Sequence, residues 1–139
     1  MNEYRFSDIE IGIEEFFQVT IDPSKMEKFL EISGDINPLH TDDGYAKEKG
    51  FSNRLVYGLL TASFYSTLVG VHLPGKYCIL QGIDIQFSKP VYIDDTLKVS
   101  GKVSYINEAY KQIEIKAIIT NQKHIKVSKA TLKVGLIDG

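Results

Sequence analysis

Cysteine occurs once in these 139 residues, at position 78, and tryptophan does not occur at all. A single cysteine excludes an internal disulfide and any cysteine-built metal cluster, which leaves Cys78 the role of a small buried hydrophobe. An excess of charge of one sign is also missing: 16 Lys and Arg stand against 18 Asp and Glu, for a net charge of −2 and a pI near 5.9. With the lysines scattered along the chain, no electrostatic footprint for nucleic acid is present. Long hydrophobic runs are absent too. The longest apolar stretch, 59–71, is interrupted by Thr61, Ser63, Ser66 and Thr67 and falls short of the ~20 residues a bilayer-spanning helix needs. Segment 1–8 has neither the basic start nor the apolar centre of a secretory signal, so the cytoplasm is the expected compartment.

What is present belongs to an ordinary globular protein. Hydrophobic residues make up 43% of the chain and charged residues 24%, and the length suits one domain, 1–139, able to bury a single core without disulfides. No internal repeat or low-complexity segment interrupts it.

Asp22-Pro23 reads as an N-cap followed by proline at the first helical position, and Met26, Phe29, Leu30 and Ser33 follow at helical spacing until Gly34 ends the run. A second short helix is expected over 43–49, with Asp42 or Asp43 as cap and Gly50 as stop. Between Gly58 and Gly70 the chain is apolar or small on nearly every face, as in a helix enclosed on most sides; its ~13 residues span about 20 Å. After Pro74-Gly75 the period changes to two. Segments 79–87, 96–106, 112–120 and 124–136 read as strands, with a further early strand over 15–20. Helices first and consecutive strands afterwards argue α+β, an antiparallel sheet burying one face against the long apolar helix.

The chemistry concentrates in Ser33-Gly34-Asp35-Ile36-Asn37-Pro38-Leu39-His40. Gly34 permits backbone conformations closed to other residues, and Pro38 fixes its own φ and pushes Asn37 out of the α region. A carboxylate and an imidazole five residues apart on so stiff a turn are placed for general acid–base work. Taken alone, Asp-x-Asn-Pro is also ordinary turn composition, in which Asp or Asn caps a neighbouring helix.

The whole string from Phe29 to His40, followed by Ala46, resembles the signature of the MaoC-like, (R)-specific enoyl-CoA hydratases, also called hydratase 2. The segments Leu55-Val56-Tyr57-Gly58-Leu59-Leu60-Thr61-Ala62-Ser63, Leu73-Pro74-Gly75 and Phe87-Ser88-Lys89-Pro90-Val91-Tyr92-Ile93-Asp94-Asp95 extend the resemblance over most of the chain. One position departs: the family usually has histidine before the glycine, where this chain has Tyr57. The resemblance implies a single hot-dog domain, in which a curved antiparallel sheet wraps a central apolar helix. It also implies Asp35 and His40 as the catalytic pair, Asn37 as an orienting residue, the Gly58 N–H as oxyanion hole and Ser63 as a supporting residue. A helix N-terminus presents unpaired N–H groups and a positive partial charge, which suits Gly58 to that role. Glycine there also permits close helix–sheet packing, and a serine in an apolar helix commonly bonds back to a carbonyl one turn earlier.

Water addition to an α,β-unsaturated thioester needs a base for the water, an acid for the α-carbon and dipoles for the enolate. The resemblance thus implies reversible conversion of trans-2-enoyl thioesters to (R)-3-hydroxyacyl thioesters, without a metal or redox cofactor. Coenzyme A is the implied carrier and acyl-carrier protein the other option; a homodimer is implied as well. His72 and His124 read as ordinary surface or loop residues, and three histidines without shared spacing argue against zinc. Two alternatives stay open, acyl-thioester hydrolysis on the same scaffold and a non-catalytic acyl-thioester-binding module, the latter because of Tyr57.

Overall fold

The computed structural model describes residues 1–137. Strand β1 (Glu14–Thr20) comes first, then helices α1 (Pro23–Ser33), α2 (Pro38–Thr41), α3 (Asp43–Glu48) and α4 (Gly58–Thr67). Strands β2 (Cys78–Phe87), β3 (Thr96–Asn107), β4 (Gln112–Thr120) and β5 (Lys126–Leu136) follow. The five strands form one antiparallel sheet in the order β1-β3-β4-β5-β2. This curved sheet with a central helix has the α+β class read from the residues and the hot-dog architecture that the family resemblance implied.

The period-two pattern is the physical cause of the sheet's buried face. Leu97, Val99 and Val103 on β3, Ile113, Ile115 and Ile119 on β4, and Leu132 and Val134 on β5 are all buried, and they meet Leu60, Tyr65, Leu68 and Val69 from the helical layer. Gly101 lets the layers approach: a Cβ there would stand 2.7 Å from Ile115 Cγ2 and 2.8 Å from Leu68 Cδ2. Where the helix meets β5, the Tyr65 hydroxyl donates to or accepts from Ser128 Oγ at 2.9 Å, both residues fully buried. Burial pushes the Tyr65 hydroxyl up to about 12, against which the Ser128 bond pulls only weakly.

Several boundaries differ from expectation for local reasons. The last strand starts at Lys126 rather than at 124, because His124 sits at φ 60° in a turn held by Asn121 Oδ1, which accepts from the N–H groups of Lys123 and Ile125. The short helix α2 is not expected from the sequence, where Pro38 reads as part of a turn; Pro38 occupies the first helical position behind an Asn37 cap. The long apolar helix is less enclosed than its composition implied. Leu59 is 68% exposed and Ser63 and Ser66 are exposed on the same side, and beyond Thr67 the chain continues as a π-helical turn, Leu68–His72. Strand β2, at the edge of the sheet, leaves Ile79, Ile83 and Phe87 open.

Candidate active site

Helix α1 delivers the Asp35–His40 turn. Asp22 caps its start by accepting from the Lys25 N–H at 2.9 Å, and Gly34 ends it in the left-handed conformation at φ 70°, which is why glycine stands there. Two Asx links then fold the turn: Asp35 Oδ1 accepts from the Asn37 N–H at 3.1 Å, and Asn37 Oδ1 accepts from the Leu39 N–H at 2.9 Å. Both side chains therefore carry local structure, as such turn composition commonly does, and both are exposed.

His40 is held from the other side by Leu55. The Leu55 N–H donates to the Leu39 carbonyl at 2.8 Å, and the Leu55 carbonyl lies 2.9 Å from His40 Nδ1. A carbonyl only accepts, so Nδ1 carries the hydrogen, and in the neutral ring Nε2 is left with the lone pair. The imidazole is thereby fixed in tautomer and orientation as a proton acceptor.

Tyr57 forms the floor beneath it. Its ring stacks on His40 with centroids 4.3 Å apart and meets Phe29 at 4.8 Å, and its hydroxyl donates to the Asp35 carbonyl at 2.8 Å. Burial first, and then the negative charge of Asp35, push the Tyr57 hydroxyl up, with Arg54 opposing; it stays a neutral donor. The residue that replaces the usual histidine thus ties the Asp35–His40 turn to the start of α4.

His40 and Gly58 line one cleft of about 330 Å³, together with Thr61, Phe87, Lys89 and Val127, a size suited to a small-molecule site. Gly58 opens α4, and its N–H meets no acceptor among the described residues. A Cβ at this position would lie in ordinary contact with the Phe87 ring, at 3.4 Å, so close packing does not require glycine here, and the free N–H remains. Asp35, Asn37 and Ser63 are not among the cleft's lining residues. Ser63 Oγ donates back to the Leu60 carbonyl at 2.6 Å, the local bond that an apolar helix favours. A separate groove of about 350 Å³ on the outer sheet face is lined by Asp84, Lys116, Lys126 and Lys129 among others; it contains no imidazole, thiol or unpaired N–H of a helix.

Sequence reasoning missed three participants. The Leu55 carbonyl is a backbone group without a side-chain signature, and the Tyr57 hydroxyl bond depends on a fold that brings residues 35 and 57 together. The third is Thr61, whose Oγ1 is buried without a hydrogen-bond partner among the described residues; as one of several hydroxyl side chains on α4, it carried no signal of its own.

An antiparallel sheet wrapped on a helix defines the hot-dog architecture, and here it brings an oriented imidazole and a free helix N–H into one cleft. A family model described as a MaoC like domain matches residues 9–127, and the chain belongs to that family. It is 34% identical over 99 residues to a 3-hydroxybutyryl-CoA dehydratase of Methylorubrum extorquens, which covers 71% of this chain and 63% of that protein. With an (R)-specific enoyl-CoA hydratase of Aeromonas caviae it shares 32% identity over 100 residues, 72% of this chain and 75% of that one. The unliganded R-hydratase PhaJ1 of Pseudomonas aeruginosa superposes with a TM-score of 0.90 at 25% identity, over 97% of this chain and 86% of that chain.

Proposed function

We propose that the protein is a hydro-lyase that adds water to trans-2-enoyl thioesters, giving (R)-3-hydroxyacyl thioesters, and that it runs the reverse dehydration at the same site. The observation that carries this reading is the His40 imidazole, held by Leu55 with Nε2 as acceptor, in one cleft with the unpaired Gly58 N–H. The two hydratase and dehydratase relatives named above support the same chemistry.

In the hydration direction a water O–H bond breaks and a C3–O bond forms. Asp35 and His40 take the water's proton and return a proton to the α-carbon. The thioester carbonyl gains enolate charge in between, and the Gly58 N–H at the positive end of α4 stabilises it. Asn37 and Ser63 act only on the geometry, Asn37 by capping α2 and Ser63 within its own helix. Atoms and electrons balance within substrate and water, and no cofactor takes part. The acyl carrier is coenzyme A, with acyl-carrier protein as the other candidate.

The working unit is a homodimer of single hot-dog domains. Strand β2 is a sheet edge carrying Ile79 at 46%, Ile83 at 45% and Phe87 at 54% exposure. An edge of that kind is suited to pairing with a second copy. Sedimentation at assay concentration checks this, and an active monomer refutes it.

The test of the site is a pair of substitutions. Asp35→Asn and His40→Gln each fold as the parent does and lose at least ~100-fold in crotonyl-CoA hydration, the lower scale for positioned acid–base groups. Near-parental turnover in either variant removes that residue from the mechanism.

A further inference from the structure

Thr61 is 2% exposed, and its hydroxyl is a buried side-chain oxygen without a hydrogen-bond partner among the described residues. Buried polar atoms are nearly always paired, and leaving one unpaired has a cost. A helical threonine ordinarily bonds back to the carbonyl four residues earlier. Here that carbonyl, of Tyr57, receives the Thr61 N–H at 3.1 Å, and the hydroxyl bonds to nothing.

Its position supplies the missing partner. Thr61 lines the same cleft as His40 and Gly58. Three residues apart on α4, Gly58 and Thr61 share a helix face, and helical side chains lean toward the N-terminus. The Thr61 side chain therefore leans back toward the first turn, where the free Gly58 N–H lies. Threonine keeps two χ1 wells in a helix, so its hydroxyl has a second orientation open to it on the residue that lines the cleft.

We propose that the Thr61 hydroxyl is a second hydrogen-bond donor to the thioester carbonyl oxygen, beside the Gly58 N–H. It keeps its proton throughout and strengthens its bond as the enolate charge grows. The inference rests on the hydration reading above and adds a residue to it. An unpaired hydroxyl is tolerated at this place because the substrate provides its acceptor, a trade of stability for function.

The experiment measures crotonyl-CoA hydration and thermal midpoints for the parent, Thr61→Val and Thr61→Ser. Valine keeps the shape and deletes only the donor; serine keeps the donor. The valine variant is expected to melt at or above the parental temperature and to lose at least about 10-fold in kcat, with KM changed far less. The serine variant is expected to retain kcat within about three-fold, because its donor remains. Parental kcat in Thr61→Val refutes the proposal while leaving the hydration reading intact. A fall in the melting temperature of Thr61→Val also refutes it, since the hydroxyl would then serve the fold. A parent that hydrates nothing refutes the reading on which the inference rests.

Discussion

The proposed oxyanion donor is a backbone N–H, yet its place in the helix makes it removable. Gly58 is the first residue of α4, the helical position at which proline is favoured because the missing N–H has no intrahelical partner. The preceding residue must then be extended, and Tyr57 already lies at φ −56°, ψ 126°. Gly58→Pro therefore deletes the N–H hydrogen and adds the ring carbons at a helical position that accepts proline. The new Cβ meets only the Phe87 ring, at 3.4 Å, and that ring is 54% exposed and free to give way. No hydrogen bond of the fold is lost, because the Gly58 N–H has no acceptor among the described residues. A single oxyanion donor contributes about 2.7–4 kcal/mol to the transition state, or about 100- to 1,000-fold in kcat. The expected outcome is a variant with near-parental melting temperature that still binds substrate but hydrates crotonyl-CoA at least about 100-fold more slowly. Gly58→Ala adds the same Cβ, keeps the N–H, and is the control for sterics. Parental turnover in a folded Gly58→Pro protein, or equal loss in both variants, refutes the assignment of this amide.

Tyr57→Phe removes the hydroxyl bond to the Asp35 carbonyl but keeps the ring under His40, so stability falls by about 0.5–1.5 kcal/mol and hydration persists within a few-fold; chemical denaturation and steady-state kinetics check both. A 100-fold loss of activity would place the hydroxyl in the chemistry itself. Tyr65→Phe strands the buried Ser128 Oγ and costs about 1–3 kcal/mol. The Tyr65 hydroxyl titrates higher in the fold, at about 12, than its ordinary 10.0. Its contribution is therefore intact below the lower value and fades as pH rises toward the upper one. The parent's melting temperature should drop more steeply across that alkaline window than the phenylalanine variant's, and parallel curves would refute the attribution.

Residues whose roles are local were legible in the sequence. The Asp22-Pro23 start and Gly34 stop of α1, and the alternation that buries Ile113, Ile115 and Ile119, follow from capping, positive φ and the pleat, each read within a few residues. The turn's acid–base composition was legible for the same reason, and the family resemblance pointed to Gly58, whose N–H the fold leaves unpaired in the cleft. Less legible was anything set by residues distant in the chain. Nothing near His40 announces the Leu55 carbonyl that fixes its tautomer, and nothing near Tyr57 announces a hydroxyl bond across 22 residues. The openness of α4 and β2 was hidden because apolar composition does not distinguish a surface covered by the same chain from one left for another.

The measurement that bears most directly on the central claim is product analysis after incubating the parent protein with crotonyl-CoA, resolving the 3-hydroxybutyryl-CoA enantiomers and titrating free thiol in the same sample. The expected product is (R)-3-hydroxybutyryl-CoA with the thioester intact. Release of free coenzyme A would establish thioester hydrolysis instead, and substrate recovered unchanged despite binding would leave a non-catalytic acyl-thioester-binding protein; either result contradicts the proposed hydration.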